Sequence, residues 1–420
     1  MQSNFNAALR TVLEQPGNSA ASFNLVQAAV AAGDLRIAIS ALERILLLNP
    51  ELDNIRFELG FLYIRAGLPE VGVPMVEKAL ASGDVPEEVR ARGETLVRAT
   101  NDAQKRFRIT GRAFGGIAYD SNANAAAESA LVEILGPNNT PVLATLIDPN
   151  SIAEDDFSAV TTANLRVEYD LGFQSGHTIF ADAGYYGKHF FERGDINLDV
   201  ISLGLGTNIF FGKGGGLPVT VSPSLTYDHV IEGSDNYLNS YKARLAVTTQ
   251  FNRRLAGGLN LFAGYDDFLE SAENPILDSR DAGVYGGGAY VTYLFTPTLR
   301  GFISADAERF DANVGYEAYS QAGARVGLAK LFKNIVFPEA PVIRLSGYVG
   351  FRHRFYDTPD PVISLEDRED NRTDLGLSVE LPIHTNVALQ FDVYGTRNQS
   401  NYDINEFENL GSSGGLVIKF

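Results

Sequence analysis

Side chains able to do chemistry are sparse in this sequence and poorly grouped. The five histidines, His177, His189, His229, His353 and His384, stand too far apart to share a metal on one turn or strand. There is no cysteine, so disulfides, thiolate metal sites and cysteine nucleophiles are excluded. Asp120-Ser121-Asn122-Ala123-Asn124 alternates acid and amide as a calcium loop begins, but the sixth position is Ala125 rather than Gly and the twelfth Leu131 rather than Glu. The string reads instead as a polar turn whose side chains bond nearby backbone. Gly283-Val-Tyr-Gly-Gly-Gly288 has the glycines of a phosphate loop but no helix after it, so it reads as small residues in a strand wall. No catalytic constellation stands out, and neither enzymatic activity, a metal nor a cofactor is expected.

Composition narrows the classes further. With 420 residues the chain exceeds one ordinary core, and two or more domains are expected. A net charge of −18 argues against a nucleic-acid partner. Although 45% of residues are hydrophobic, no run approaches the roughly 18 apolar residues of a membrane helix; the longest lies near Ile45 to Leu48. A membrane barrel remains open, because alternating strands escape hydropathy windows. The 41 glycines and 10% aromatics, all Tyr and Phe, suit tight turns and interfacial girdles. Met1-Gln-Ser-Asn-Phe5 lacks a basic start and apolar core, so an exported chain would be expected here in its mature form.

The elements fall into two parts with different periods. Over residues 1–105, apolar residues recur at helical spacing, as in Leu35, Ala38, Leu42 and Ile45. A 34-residue self-similarity matches Leu25 with Leu59, Gly33 with Gly67, Ala38 with Gly72, Leu42 with Val76 and Ile45 with Ala79. That is the period of the tetratricopeptide repeat, a helix–turn–helix unit whose small residues admit close helix contact. Gly60 and Tyr63 occupy its preferred Gly and aromatic positions, and Pro50 closes the first copy; Val26, Ala29 and Asp84 depart from the pattern. Two repeats are expected, flanked by helices at about 3–14 and 86–104, with a concave face suited to peptide binding.

Residues 106–420 change to period two. Candidate strands run near 107–119, 156–170, 177–190, 197–211, 218–230, 239–251, 257–269, 282–295, 298–310, 317–331, 341–355, 372–383, 387–399 and 408–420. Each exceeds the roughly 9–11 residues of a tilted membrane strand. Short Gly-, Pro- or Asn-bearing connections, such as Thr296-Pro297, alternate with longer polar ones at 120–155, 270–281 and 356–371. The pattern predicts a closed antiparallel barrel of about fourteen strands with both ends of the barrel sequence on one side.

Each strand has an apolar and a polar face. Leu299, Ile303, Leu345, Val349, Leu375, Leu377, Leu389 and Phe391 are expected to face lipid. A charge facing lipid at the midplane would cost about 2–4 kcal/mol, so the charged sides must line a lumen. These are Arg166, Glu168, Asp182 and Arg244, then Arg300, Asp306, Glu308 and Arg325, then Arg344, Arg352, Arg354, Asp374, Glu380 and Asp392. A soluble sheet with one wet face is the competing reading.

The chain ends Leu416-Val-Ile418-Lys-Phe420, alternating to a terminal aromatic, and so resembles the signal by which barrel-assembly machinery recognises outer-membrane proteins. The repeats, the string Gly116-Ile-Ala-Tyr119-Asp120-Ser121-Asn122-Ala-Asn124, and a barrel ending in Phe together resemble the surface lipoprotein assembly modulator family. The resemblance covers nearly the whole chain, with Tyr119, Asp120, Ser121, Asn122 and Asn124 as its motif. It implies a Gram-negative outer-membrane translocon that carries lipoproteins, or related haem- and metal-scavenging proteins, from periplasm to cell surface. Its partners would be outer-membrane lipid, the client and the assembly machinery, with the helical domain in the periplasm. The alternative is an exopolysaccharide export porin, which should show a lumen of one dominant charge sign and aromatic platforms. A barrel enzyme and a simple diffusion porin complete the alternatives.

Overall fold

The computed structural model describes residues 2–15, 17–82, 87–136, 140–146, 151–173, 176–212, 216–271 and 276–420. The chain divides into two compact units, Met1–Lys105 and Arg106–Phe420. Among the described residues the first holds six helices: α1 (Gln2–Glu14), α2 (Ser19–Ala32), α3 (Leu35–Leu48), α4 (Asp53–Arg65), α5 (Pro69–Ala81) and α6 (Glu87–Gln104). Each packs on its neighbour in sequence. Asn18 caps α2 by accepting from Ala20 N and Ala21 N at 3.0 and 3.1 Å.

The pairs α2–α3 and α4–α5 repeat at an offset of 34 residues in backbone detail. Gly33 N donates to Val30 O and Asp34 N to Ala29 O; Gly67 N donates to Ile64 O and Leu68 N to Tyr63 O. Both glycines take the left-handed conformation these helix ends require, with φ of 82° and 81°. The matched residues Leu25, Leu42, Ile45, Leu59, Val76 and Ala79 are buried. Between α4 and α5 the backbones meet at Gly60 and Gly72: a Cβ on Gly72 would lie 2.5 Å from Gly60 O. Asp84 lies outside the described residues. Helix α6 ends at Gln104, where the expected helix at about 86–104 ends, and only Lys105 and Arg106 lie between it and the first strand.

The second unit is a closed antiparallel barrel of fourteen strands. In chain order these are β1 (Phe107–Asp120), β4 (Asp156–Asp170), β5 (Thr178–Phe190), β6 (Leu198–Phe211), β7 (Val219–Glu232), β8 (Asp235–Gln250) and β9 (Leu255–Phe268). They continue as β10 (Ala282–Thr296), β11 (Leu299–Ala312), β12 (Tyr319–Phe332), β13 (Ile343–Tyr356), β14 (Glu369–Pro382), β15 (Val387–Ser400) and β16 (Phe407–Lys419). Each pairs with the next, and β1 closes the ring against β16. Among the described residues no helix is long and apolar enough to cross a membrane, which says nothing of these strands.

One correction concerns 120–155, which reads as a polar loop. It carries a separate hairpin, β2 (Leu131–Leu135) with β3 (Pro141–Thr145), because each short apolar run finds its partner in the other. The hairpin is tied to other loops at the same end of the barrel: Glu133 N donates to Asp403 Oδ2 at 3.0 Å and Leu135 N to Val362 O at 3.2 Å. The start and finish of the barrel lie together at the opposite end, where Gly111 and Phe420 exchange backbone hydrogen bonds of 2.8 and 3.1 Å.

Candidate functional site

Strand pairing decides which side chains share a face. Ile303, Val326, Val349 and Leu375 are successive register partners, as are Asp306, Gly323, Arg352 and Arg372. Followed around the ring, the first set continues through Leu377, Val393, Ile117, Leu205, Leu225, Leu261 and Tyr285. These are large apolar residues left 47–65% exposed on the outer wall. The second set continues through Asp120, Asp156 and Asp266, which are 1%, 5% and 7% exposed on the inner wall. The registers put all fourteen charged residues named above on the inner face, and Leu299, Ile303, Leu345, Val349, Leu375, Leu377, Leu389 and Phe391 on the outer one.

The outer wall is banded. Phe107 and Tyr119 on β1 are twelve residues apart, and Tyr285 and Tyr293 on β10 eight apart, all facing out. At about 3.3 Å per residue and a tilt near 40°, these aromatics bracket a band of roughly 20 to 30 Å, the height of a membrane barrel's apolar belt.

Ion pairs lace the inner wall. Arg166 grips Asp182 through two hydrogen bonds of 2.6 and 2.7 Å. Arg108 meets Glu168 at 3.1 Å, Lys242 meets Asp266 at 3.2 Å, and Lys419 meets Glu380. A recess of about 610 Å³ opens in this wall between β1 and β8, with Arg112, Arg166, Asp182, Asp228 and Arg244 among its lining. Arg112, Lys188, Lys242 and Lys419 share the alternation of the named residues and could have been found by the same parity argument.

The Tyr119–Asn124 string is a clasp as well as a turn. Asp120 ends β1 facing inward, and its carboxylate accepts from Lys188 Nζ at 2.7 Å, Tyr394 OH at 2.8 Å and Asn409 Nδ2 at 2.8 Å. Ser121 N donates to Leu410 O, and Leu410 N to Ser121 Oγ, at 3.0 and 2.8 Å. Asn122 does bond its own turn, through Ala126 N and O at 3.1 and 2.9 Å. Asn124 reaches instead to Ile152 O at 2.7 Å and Glu154 N at 3.2 Å. Tyr119 faces outward, its hydroxyl 3.3 Å from Asp155. All five residues thus hold β1 or its loop to segments 28 or more residues away, Asn122 through its backbone N–H, which donates to Asn409 Oδ1 at 3.2 Å, and a local turn reading does not capture this.

Beyond the strands at this end, Arg193 bridges Asp195 at 2.7 Å and Glu154 at 2.6 Å, and its guanidinium holds the Asp195 carboxyl below the ordinary carboxylate range. Arg309 does the same for Asp357 at 2.6 Å. Tyr402 is buried; its hydroxyl donates to Glu366 O at 2.7 Å and accepts from Asp360 N at 3.1 Å. These contacts set loops 357–368 and 401–406 in place.

At the C-terminus Leu416 and Ile418 face outward opposite Gly115 and Ala113. The Phe420 ring lies on Gly111, where a Cβ would meet it at 2.2 Å.

In the helical unit, Phe23, Val26, Val30, Leu42, Phe61 and Leu62 line a recess of about 480 Å³ between α2, α3 and α4. Arg65 and Arg92 stand over the Phe61 ring at 5.9 and 5.5 Å. Tyr63 donates to Glu43, and that bond raises its phenol to about 12.

No known protein family and no curated protein matches the sequence. Solved structures do resemble the barrel. A bacterial polysaccharide outer membrane secretin aligns with 74% of this chain and 98% of its own at 11% identity and a TM-score of 0.38. The outer membrane channel DcaP of Acinetobacter baumannii aligns with 75% and 97% at 9% identity and 0.40. An anion-selective porin from Comamonas acidovorans aligns with 75% and 99% at 10% identity and 0.36. At such scores nothing about cargo is carried over from them.

Proposed function

We propose that this chain is an outer-membrane protein of a Gram-negative bacterium that takes a client from the periplasm, through its helical repeats, and delivers it by way of the barrel to the cell surface. The client is a lipoprotein or a related secreted protein, and no catalytic role is assigned. The observation that carries the reading is the two-sided wall: an outer band of half-exposed Leu, Ile, Val and Phe around an inner wall of Arg, Lys, Asp and Glu. Half-exposed apolar bands are stable in lipid and aggregation-prone in water.

The helical unit is what a simple diffusion pore would not need. Its 34-residue repeat is that of tetratricopeptide arrays, whose concave faces take peptides, and the apolar recess beside Phe61 offers such a seat. With only Lys105 and Arg106 between helix and strand, a client held on the repeats is kept at high effective concentration near the barrel. A fourteen-stranded lumen partly filled by side chains is narrow, so the client crosses unfolded or through an opened seam, drawn by folding outside.

Against polysaccharide as cargo, the inner wall carries both signs of charge, and its row of Phe268, Phe310, Tyr319 and Tyr356 is packed ring on ring, with Phe310 and Tyr319 stacked at 4.9 Å. Such a row supports the wall rather than offering open platforms.

The test is co-expression with a lipoprotein or secreted protein encoded beside this chain, followed by protease accessibility on intact cells. Removing residues 1–100 should lower client display while the barrel still assembles. Unchanged display on loss of the whole protein, with polymer export failing instead, would transfer the function to polysaccharide.

A further inference from the structure

Many inner-wall cations, among them Arg108, Arg166, Lys188 and Lys242, have a carboxylate within ion-pair distance, whereas Arg244 and Arg300 stand singly without one among the described residues. The stretch formed by β12 to β14 departs from both patterns. Arg352 stands directly opposite Arg372 across the β13–β14 ladder, a like-charge pair on one face, which is destabilising without a compensating anion. Arg372 is held by Asp374 at 3.0 Å. Arg352 has no carboxylate within ion-pair distance among the described residues, and its Nε is buried without a hydrogen-bond partner.

Arg325 is the diagonal neighbour of Arg352, since Arg325 pairs with Gly350 and Arg352 with Gly323. It too has no ion pair among the described residues, and it stacks on Tyr348 at 4.6 Å. The two glycines let side chains lie across them: a Cβ on Gly350 would sit 3.3 Å from Arg325 Nε, and one on Gly323 3.3 Å from Asp306 Oδ2.

The acids facing this patch do not balance it. Asp374 is spent on Arg372 and on Thr396, which donates to it at 2.8 Å. Glu308 is engaged by Gln321 at 3.0 Å. Asp306, lying over Gly323, remains as one unengaged carboxylate against the two unpaired guanidiniums of Arg325 and Arg352.

We propose that Arg325, Arg352 and Arg372 form an oxyanion-binding site on the inner wall, which takes a phosphate or carboxylate group of whatever enters the lumen. Guanidinium groups present planar pairs of donors that match both oxyanions, and a converging set gives specificity that a scattered charge does not. The site stands on barrel geometry alone and is independent of the cargo's class.

The full-length protein in detergent micelles is titrated calorimetrically with inorganic tripolyphosphate, and in a second arm with triglutamate, at low and raised salt. One saturable, salt-sensitive site per chain is expected. Arg352→Gln and Arg325→Gln should each weaken it about tenfold, the loss of one charge-assisted contact. Arg397→Gln, which removes an outer-wall charge paired with Glu408 at 3.0 Å, should leave it unchanged. Arg352→Gln should also resist denaturant at least as well as the parent, because it relieves the facing of Arg372. Tighter tripolyphosphate binding assigns the site to phosphate, and tighter triglutamate binding to carboxylate. Absence of saturable binding to both, or equal affinity in the parent and Arg352→Gln, overturns the proposal.

Discussion

Replacing Asp120 tests whether the clasp at the end of β1 holds the barrel closed. The carboxylate is 1% exposed and accepts three hydrogen bonds, from Lys188, Tyr394 and Asn409. Asp120→Ala orphans all three donors at once. Removing one member of a buried ion pair costs about 3–5 kcal/mol, mostly through the charge left behind. Lys188 can recover part of that: its side chain is 18% exposed and its ammonium stands 4.8 Å from the Phe190 ring. The expected loss is therefore about 2–4 kcal/mol. Asp120→Asn keeps the shape and one acceptor and should lose about 1–2 kcal/mol. The loss should concentrate at closure, because β1 pairs with β16 over Arg112 to Asp120, with the Gly111–Phe420 bonds beyond, whereas it pairs with β4 along its full length. The assay is urea unfolding of the full chain refolded into lipid vesicles, followed by circular dichroism and by electrophoretic mobility of the folded barrel. A double-mutant cycle with Lys188→Met should return a coupling of about 1–3 kcal/mol. The reasoning is falsified if Asp120→Ala lies within about 0.5 kcal/mol of the parent, the range of an unimportant surface change, or if the two substitutions simply add.

Phe420 should matter more than its neighbour: its deletion, or a charged residue there, should reduce assembled barrel in outer-membrane fractions more than the same charge at Lys419. Gly111→Ala should impair folding in vesicles as well, since its Cβ would meet the Phe420 ring at 2.2 Å; normal folding yield would show that the ring has somewhere else to go. The chain has no cysteine, so single cysteines report faces cleanly. Ser378→Cys on the inner wall should react with a water-soluble maleimide in vesicles and Leu377→Cys should not; the reverse order would invert the assignment of faces. In the helical unit, Tyr63 has its phenol raised from 10.0 to about 12 by Glu43. A raised value means the bond stabilises the fold fully below pH 10 and is lost as pH climbs through about 12. A Tyr63→Phe chain should therefore lose that alkaline dependence of its melting temperature.

Much of this protein is written locally. A 34-residue spacing of Leu25/Leu59, Gly33/Gly67 and Leu42/Val76 suffices for two equivalent helix pairs, because each residue meets its helical neighbours within a few positions. A period of two suffices for fourteen strands, because adjacent side chains on a strand must face opposite ways. The inward set follows from the same alternation, since charge and lipid exclude each other. What the sequence leaves open is decided by closure. Asp120 meets partners 68, 274 and 289 residues away, and only the ring that brings β1 against β16 makes a turn residue into a clasp. The β2–β3 hairpin is equally hidden, its five-residue runs too short to show a period until loops at 357–368 and 401–406 hold it. Whether an inward arginine is neutralised depends on register: Arg166 finds Asp182 directly across the ladder, while Arg352 finds Arg372, and a shift of one residue would change both. Periodicity sets the face of a side chain, and the stagger of the closed barrel sets its neighbour.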